Sequence, residues 1–204
     1  MSYKIKAILC ASMILPCFML GSCGADTQPV ESAVSSEVSS SEEDKTEHLK
    51  KAYKLLCDSS VTMENISNVI QNAWHFGIYE DNPKLYKLAD ATGISEQALT
   101  DIGAKDFYLD EFSYCVNYCI LAMQRDEAYY QTAKNKIDEA KKEIQQATDD
   151  LNHYEDMKNF YSSSLSYYEW LESPTGNFDQ ATTSINEYEN KLKEFKNDME
   201  FDFG

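Results

Sequence analysis

From Thr46 to the end of the chain, apolar side chains return at intervals of three and four residues, the period of one face of an α-helix. Leu49, Leu56, Met63, Ile70 and Gly77 are spaced by seven. Ala52, Ile66 and Ala73 occupy the alternate seam positions, and polar Ser59 weakens the middle. The pattern predicts one long helix over 46–80, with Asp58-Ser59-Ser60 as the place for a bend. Asn82-Pro83 then predicts a stop and a restart, with Asn as cap and Pro at the first helical position. The least regular stretch, 83–104, reads as one or two short helices divided at Gly93, the second capped by Ser95 and ended by Gly103.

A second long helix is expected from Lys105, marked by Phe107, Phe112, Cys115, Cys119 and Met123. It continues through Ala133, Ile137, Ala140, Ile144, Ala147 and Leu151. Thr148-Asp149-Asp150 is the expected turn. A third helix carries Met157, Tyr161, Leu165, Tyr168 and Leu171. Pro174-Thr175-Gly176-Asn177 is the clearest punctuation, and Asn177 suits the cap of a last helix bearing Phe178, Ala181, Ile185, Tyr188, Leu192, Phe195 and Met199. No alternating strand pattern of useful length occurs. The expected class is all-α: an antiparallel bundle of about four long helices with coiled-coil-like seams over 46–204.

The first residues follow a different rule. Lys4 and Lys6 precede an apolar run from Ala7 to Leu20, interrupted only by Ser12. As a helix this run would span about 21 Å, short of the roughly 30 Å hydrocarbon core, so it reads as a signal peptide over 1–22 rather than a membrane span. Leu20-Gly21-Ser22-Cys23 resembles the lipobox of bacterial lipoproteins. That resemblance implies cleavage between Ser22 and Cys23 and a diacyl lipid on the Cys23 thiol, a two-chain anchor of the kind that holds a protein stably on a membrane. The alternative is an ordinary secreted protein with a chance cysteine near its cleavage site. After Cys23, residues 24–45 hold six Ser, six acidic residues and no aromatic. Such a segment buries too little apolar surface to offset its ordering entropy, so 23–45 reads as the lipidated Cys followed by a disordered spacer.

Charge then narrows the function. The 204 residues carry 35 acidic side chains against 18 basic ones, a net −17, which excludes a nucleic-acid partner that would require a basic face. Loss of Lys4 and Lys6 with the signal peptide would leave the chain at −19, because no acid is lost with them.

Catalytic patterns are sparse. His48, His75 and His153 lie in three separate segments, none with a second His or a Cys at ligand spacing. No HExxH, GxSxG or phosphate-binding glycine loop occurs, and the Glu-x-x-His pairs of di-iron bundles are missing too. No cofactor and no metal are therefore expected. Cys115 and Cys119 share a helix face and read as small buried hydrophobes, with a bridge from one of them to Cys57 as the alternative.

Tyrosine is abundant, at 14 residues, and clusters as Tyr114/Tyr118, Tyr129/Tyr130 and Tyr161, Tyr167, Tyr168 with Trp170. The last group is the candidate binding surface, although rings at helical spacing also serve as core. Trp74 reads as an anchor for the end of the first helix.

With these landmarks placed, the chain resembles a group of small lipoproteins from Firmicutes. In that group a first helix ends in a pattern matched here by Val69, Trp74, Ile78 and Tyr79. An irregular segment follows, and a turn matched by Pro174, Thr175, Gly176 and Asn177 precedes the last helix. Where those chains often have a Pro-containing break between the middle helices, this one has Asp149 to His153. The resemblance implies a helical lipoprotein on the extracytoplasmic face of the cell membrane and no particular activity. The expected function is a non-enzymatic interaction or ligand-binding module, held to the membrane by its N-terminal lipid and meeting an envelope protein, peptide or glycan. The alternative is an envelope enzyme, or an accessory subunit of one, using carboxylates across helices.

Overall fold

The computed structural model describes residues 34–147 and 152–204, with side-chain surroundings from residue 45 onward. The signal-peptide run, Ser22, Cys23 and the expected turn at Thr148-Asp149-Asp150 lie outside the described residues. Within them the protein is all-helical and without strands. Its α-helices are α1 (Val34–Tyr79), α2 (Leu85–Thr92), α3 (Glu96–Asp101), α4 (Phe112–Arg125), α5 (Tyr130–Gln146), α6 (Tyr154–Glu172) and α7 (Phe178–Phe203). A single 3-10 turn, Asp106–Tyr108, precedes α4. No helix among the described residues is long and apolar enough to cross a membrane.

The core is built on α1, which packs against α2, α4, α5, α6 and α7. The heptad positions Leu49, Leu56, Met63 and Ile70 are buried, as are Ala52, Ile66 and Ala73. Neighbours flanking that stripe are buried as well: Tyr53, Ser59, Ser67, Val69, Trp74 and Phe76. A helix touched from several sides needs more than one apolar stripe, and small Ser residues let neighbouring helices close in. Ser59 is fully buried without leaving its hydroxyl unpaired, because it donates back to the Leu56 carbonyl at 2.9 Å. Ser60 bonds to the same carbonyl at 2.8 Å, and α1 continues through the Asp58-Ser59-Ser60 position as an uninterrupted helix.

Four differences from the sequence expectation have physical causes. First, α1 begins at Val34, so the spacer expected to be disordered over 24–45 is helical in its second half. Once the buried turns beyond Leu49 nucleate a helix, each added Ser or Glu residue costs little and gains a backbone hydrogen bond.

Second, α2 starts at Leu85 with Lys84 as its cap residue, so Asn82-Pro83 lies in the turn ahead of it. The first backbone N–H of α2 is capped at long range by the Asp106 carboxylate, at 2.8 Å. That bond holds the Asp106 carboxyl below the usual carboxylate range, although partial burial opposes it, and Lys84 adds to the effect. Third, the long helix expected from Lys105 is divided. Asp126 turns its carboxylate back onto the N–H of Ala128 at 2.9 Å, and the chain leaves the helix until Tyr130. Fourth, the buried stripe of α6 runs through Met157, Phe160, Ser164, Tyr167, Tyr168 and Leu171, while Tyr161 and Leu165 are only half-buried.

Other sequence signals act as expected. Gly93, with φ 76°, closes α2; the Ser95 hydroxyl accepts from the Ala98 N–H at 3.1 Å; and Gly103 has φ 88° beyond α3. Asn177 and Gln180 form a reciprocal capping box at the start of α7, at 2.9 and 3.0 Å.

Gly77 in the last turn of α1 marks a close approach of α1 to the start of α4. A Cβ there would lie 2.6 Å from the Cα of Phe112 and 3.3 Å from the Sγ of Cys115. The first of these is backbone and has no rotamer with which to yield. Ala favours helix over Gly by about 1 kcal/mol, but overpacking costs about 1–3 kcal/mol. Gly77→Ala is therefore expected to lower thermal stability while retaining helical circular dichroism, and an unchanged or higher midpoint in a melting experiment would contradict this packing.

Candidate functional site

The cysteines illustrate how the chain treats reactive groups. Cys115 and Cys119 are fully buried on α4, and Cys57 is half-buried on α1. All three are free thiols. Because Cys115 faces Gly77, Cys57 sits about 30 Å away down α1, which removes the Cys57 bridge as an option. Burial pushes the Cys115 thiol up to about 11 and that of Cys119 to about 12. Cys57 is also raised, again chiefly by burial. None is an activated nucleophile. Among the described residues, no group of three or more His, Cys, Asp or Glu is placed to hold a metal ion.

The aromatic group singled out from sequence divides. Tyr167 and Tyr168 are buried, at 0% and 6% exposure, and so do not form a binding surface. Tyr161 and Trp170 are half-buried at the edge of the core. Tyr167 donates to Glu189 Oε1 at 2.9 Å, and the fully buried Ser67 hydroxyl reaches the same oxygen at 2.7 Å. One carboxylate oxygen thus satisfies two core hydroxyls on α1 and α6. Tyr167 stacks on Tyr188 at 5.0 Å, and burial, joined by the nearby Glu189 carboxylate, raises its phenol well above the ordinary range. Tyr168 donates to Glu172 at 3.1 Å, and Tyr130 donates to the Leu171 carbonyl at 2.7 Å. These rings are structural, with polar tips paired as buried hydroxyls require.

Exposed rings gather elsewhere, around the C-terminal end of α1 and the start of α4. Phe107, Tyr108, Tyr114 and Tyr118 form a row with successive centroid separations of 4.0, 5.3 and 6.0 Å. Phe107 is 63% exposed, and Tyr108, Phe112 and Tyr114 are exposed too. Lys105 reaches over the Phe107 ring at 5.9 Å, while Asp110 and Glu111 are solvent-exposed nearby in sequence. Ile78 and Tyr79, at the end of α1, add further exposed apolar surface. Sequence periodicity noted Tyr114 with Tyr118, counted Phe107 and Phe112 among the markers of a helix begun at Lys105, although both are exposed and Phe107 precedes α4, and passed over Tyr108. The missing signal is the 3-10 turn: outside a regular helix, the three-four rhythm no longer says which way a side chain faces.

Several open clefts lie among the described residues, and two of them adjoin α1 along its middle. One, of about 450 Å³, lies between α1 and α7 and is lined by Cys57, Val61, Glu64, Glu189, Lys193 and Lys196, among others. The second, also about 450 Å³, is bounded by α1, the end of α2 and the break between α4 and α5.

Two of the three histidines, His48 and His153, pair with carboxylates at the opposite end of the body from the aromatic row, while His75 packs on the Tyr79 and Phe178 rings. His48 Nδ1 lies 2.6 Å from Glu143, tying α1 to α5. His153, with φ 62°, contacts Asp156 through Nδ1 at 3.1 Å and Asp202 through Nε2 at 2.7 Å, tying the start of α6 to the end of α7. No protein-family model, curated protein or solved structure matches the chain.

Partial burial of His153 works against its protonation, but the bonds to Asp156 and Asp202 outweigh it and raise the imidazole above its ordinary 6.5. A raised folded pKa means that the contribution is fully present below 6.5 and is lost as pH rises through the folded value. Melting temperature should therefore fall across that interval in the wild type, and His153→Gln should flatten this part of the profile. A variant whose profile keeps the full wild-type slope would show that His153 does not carry it.

Proposed function

We propose that this chain is a lipoprotein anchored to the cell membrane through a diacyl lipid on Cys23, with its helical body on the extracytoplasmic face. In this reading the body is a non-enzymatic interaction or ligand-binding module. The lipobox at Leu20-Gly21-Ser22-Cys23 supports the anchor, as does the resemblance to small Firmicutes lipoproteins. The observation that carries the module is the row in which exposed Phe107, Tyr108 and Tyr114 lead to half-buried Tyr118. Large rings standing free in water are costly, and rigid aromatic rows are common anchors for partners.

An antiparallel bundle is the arrangement we infer for the body, with α4 and α5 together serving as one of its four rods. Pairings along α1 support it. His48 meets Glu143 and Gly77 meets Phe112, so α4 and α5 descend as α1 ascends. Tyr53 meets Lys196 and His75 meets Phe178, so α7 descends as well. Tyr53 meets Phe160, and Ser67 shares Glu189 with Tyr167, so α6 ascends. From Val34 to Gly77 the axis of α1 spans about 65 Å, so the aromatic row stands far from the anchored end.

Two measurements in the protein's own cells test this reading. Detergent partitioning of Cys23→Ser should show an unprocessed or released chain, and unchanged membrane retention would refute the anchor. A photo-crosslinking residue at Tyr114 should give discrete adducts with an envelope protein, peptide or glycan that are lost in Phe107→Ser/Tyr108→Ser. Adducts no different from those of a probe at exposed Glu139, on α5, would refute the aromatic row as the contact surface.

A further inference from the structure

The cleft at the break between α4 and α5 differs in chemistry from the rest of this acidic chain. Its lining is Thr62, Asn65, Asn68, Val69, Asn72, Thr92, Ala128 and Tyr129, none of them charged. In a protein with 35 acidic and 18 basic residues, a cleft with no ionised wall is conspicuous. Asn65, Asn68 and Asn72 fall at helical spacings of three and four on α1, so their carboxamides stand in one file. They are exposed, and among the described residues no protein group hydrogen-bonds to those amides or to the Tyr129 hydroxyl. Thr62 donates to the Asp58 carbonyl, which leaves its oxygen as an acceptor, whereas Thr92 donates to the Leu88 carbonyl and already accepts from the Ile94 N–H.

The wall exists because of the helix break. The Asp126 carboxylate accepts from the Ala128 N–H, the Thr132 hydroxyl donates to the Glu127 carbonyl at 2.6 Å, and between them Ala128 and Tyr129 come to the cleft. An unbroken helix would have held Tyr129 at an ordinary helical position beside Tyr130, which is turned inward onto Tyr168.

We propose that this cleft binds an uncharged saccharide, lodged along the Asn65, Asn68 and Asn72 amides and against the Tyr129 ring. A carboxamide both donates and accepts, and so does a sugar hydroxyl, so a file of amides complements neighbouring hydroxyl groups with every partner satisfied. The ring offers an apolar face for the C–H side of a sugar. With no charge in the lining, neither an anionic nor a cationic ligand finds a partner there, and a neutral one strips no ion of its water. The site lies apart from the aromatic row and stands or falls without it.

The test uses the full chain in detergent micelles, labelled with nitrogen-15, titrated with chitotetraose, cellotetraose and maltotetraose. Tetragalacturonate serves as the charged comparison. At least one neutral tetrasaccharide is expected to shift the side-chain amide signals of Asn65, Asn68 and Asn72. Binding should weaken about tenfold in Asn68→Asp and in Tyr129→Ala, both with unchanged helical circular dichroism, whereas Phe107→Ser/Tyr114→Ser should bind like the wild type. No shift with any neutral sugar at millimolar concentration would overturn the proposal. So would equal shifts with tetragalacturonate, or loss of binding in the aromatic-row variant but not in the cleft variants.

Discussion

Burial of one long helix on several sides at once is the constraint from which the rest of this structure follows. α1 supplies a wall to α2, α4, α5, α6 and α7, so between Leu49 and Phe76 it is buried along a stripe wider than one heptad seam, with a polar face that includes Asn65, Asn68 and Asn72 left to solvent. Each large aliphatic side chain sealed there contributes about 1.5–3 kcal/mol relative to exposure. The cost is polar: Ser59 and Ser67 are buried with it, and the Nε1 of Trp74 is buried with no hydrogen-bond partner among the described residues. The Ser164 and Thr182 hydroxyls are buried without a partner too, and each unpaired buried donor costs about 1–3 kcal/mol, which the core must offset. Ser67 has the Glu64 carbonyl of its own helix at 2.9 Å and Glu189 at 2.7 Å, and Glu189, reaching in from α7, takes Tyr167 as well. Three helices thereby share one carboxylate oxygen, and their register is set by it.

Much of this architecture was legible in the residues. Seven-residue spacing located the core stripe of α1, and Gly93, Ser95, Gly103 and the Asn177 box marked helix ends by local chemistry alone. What escaped depended on partners distant in sequence. Asp106 caps α2 from 21 residues away, and no local rule foresees that bond. The division between α4 and α5 carries neither Gly nor Pro, only an Asp whose side chain competes with the helix for an N–H. Tyr167 and Tyr168 looked like a binding surface because an amphipathic ring reads the same in a core as on a face. The structure places them inside and leaves the exposed rings at Phe107, Tyr108 and Tyr114.

Acidity also takes on a sharper meaning. Single carboxylates are used one at a time, by Glu189 for two hydroxyls, Asp106 for a helix start, and Asp156 with Asp202 for one imidazole. Others among the described residues act the same way, Glu143 on His48, Glu172 on Tyr168 and Asp126 on the Ala128 N–H, while acids such as Asp110, Glu111 and Glu139 stand on solvated faces. Against that background an uncharged cleft and a row of bare aromatic rings stand out as the surfaces not explained by folding alone.

The central claim, that α1 is the helix on which the others depend, is tested most directly by native-state amide hydrogen exchange. Amides of α1 between Leu49 and Phe76 should be the slowest in the chain and exchange only through global unfolding. Those of α2, α3 and the Asp106–Tyr108 turn should exchange through local openings of lower free energy. Protection of α1 no greater than that of α2 and α3, or loss of α1 protection while α5 to α7 stay closed, would contradict the account.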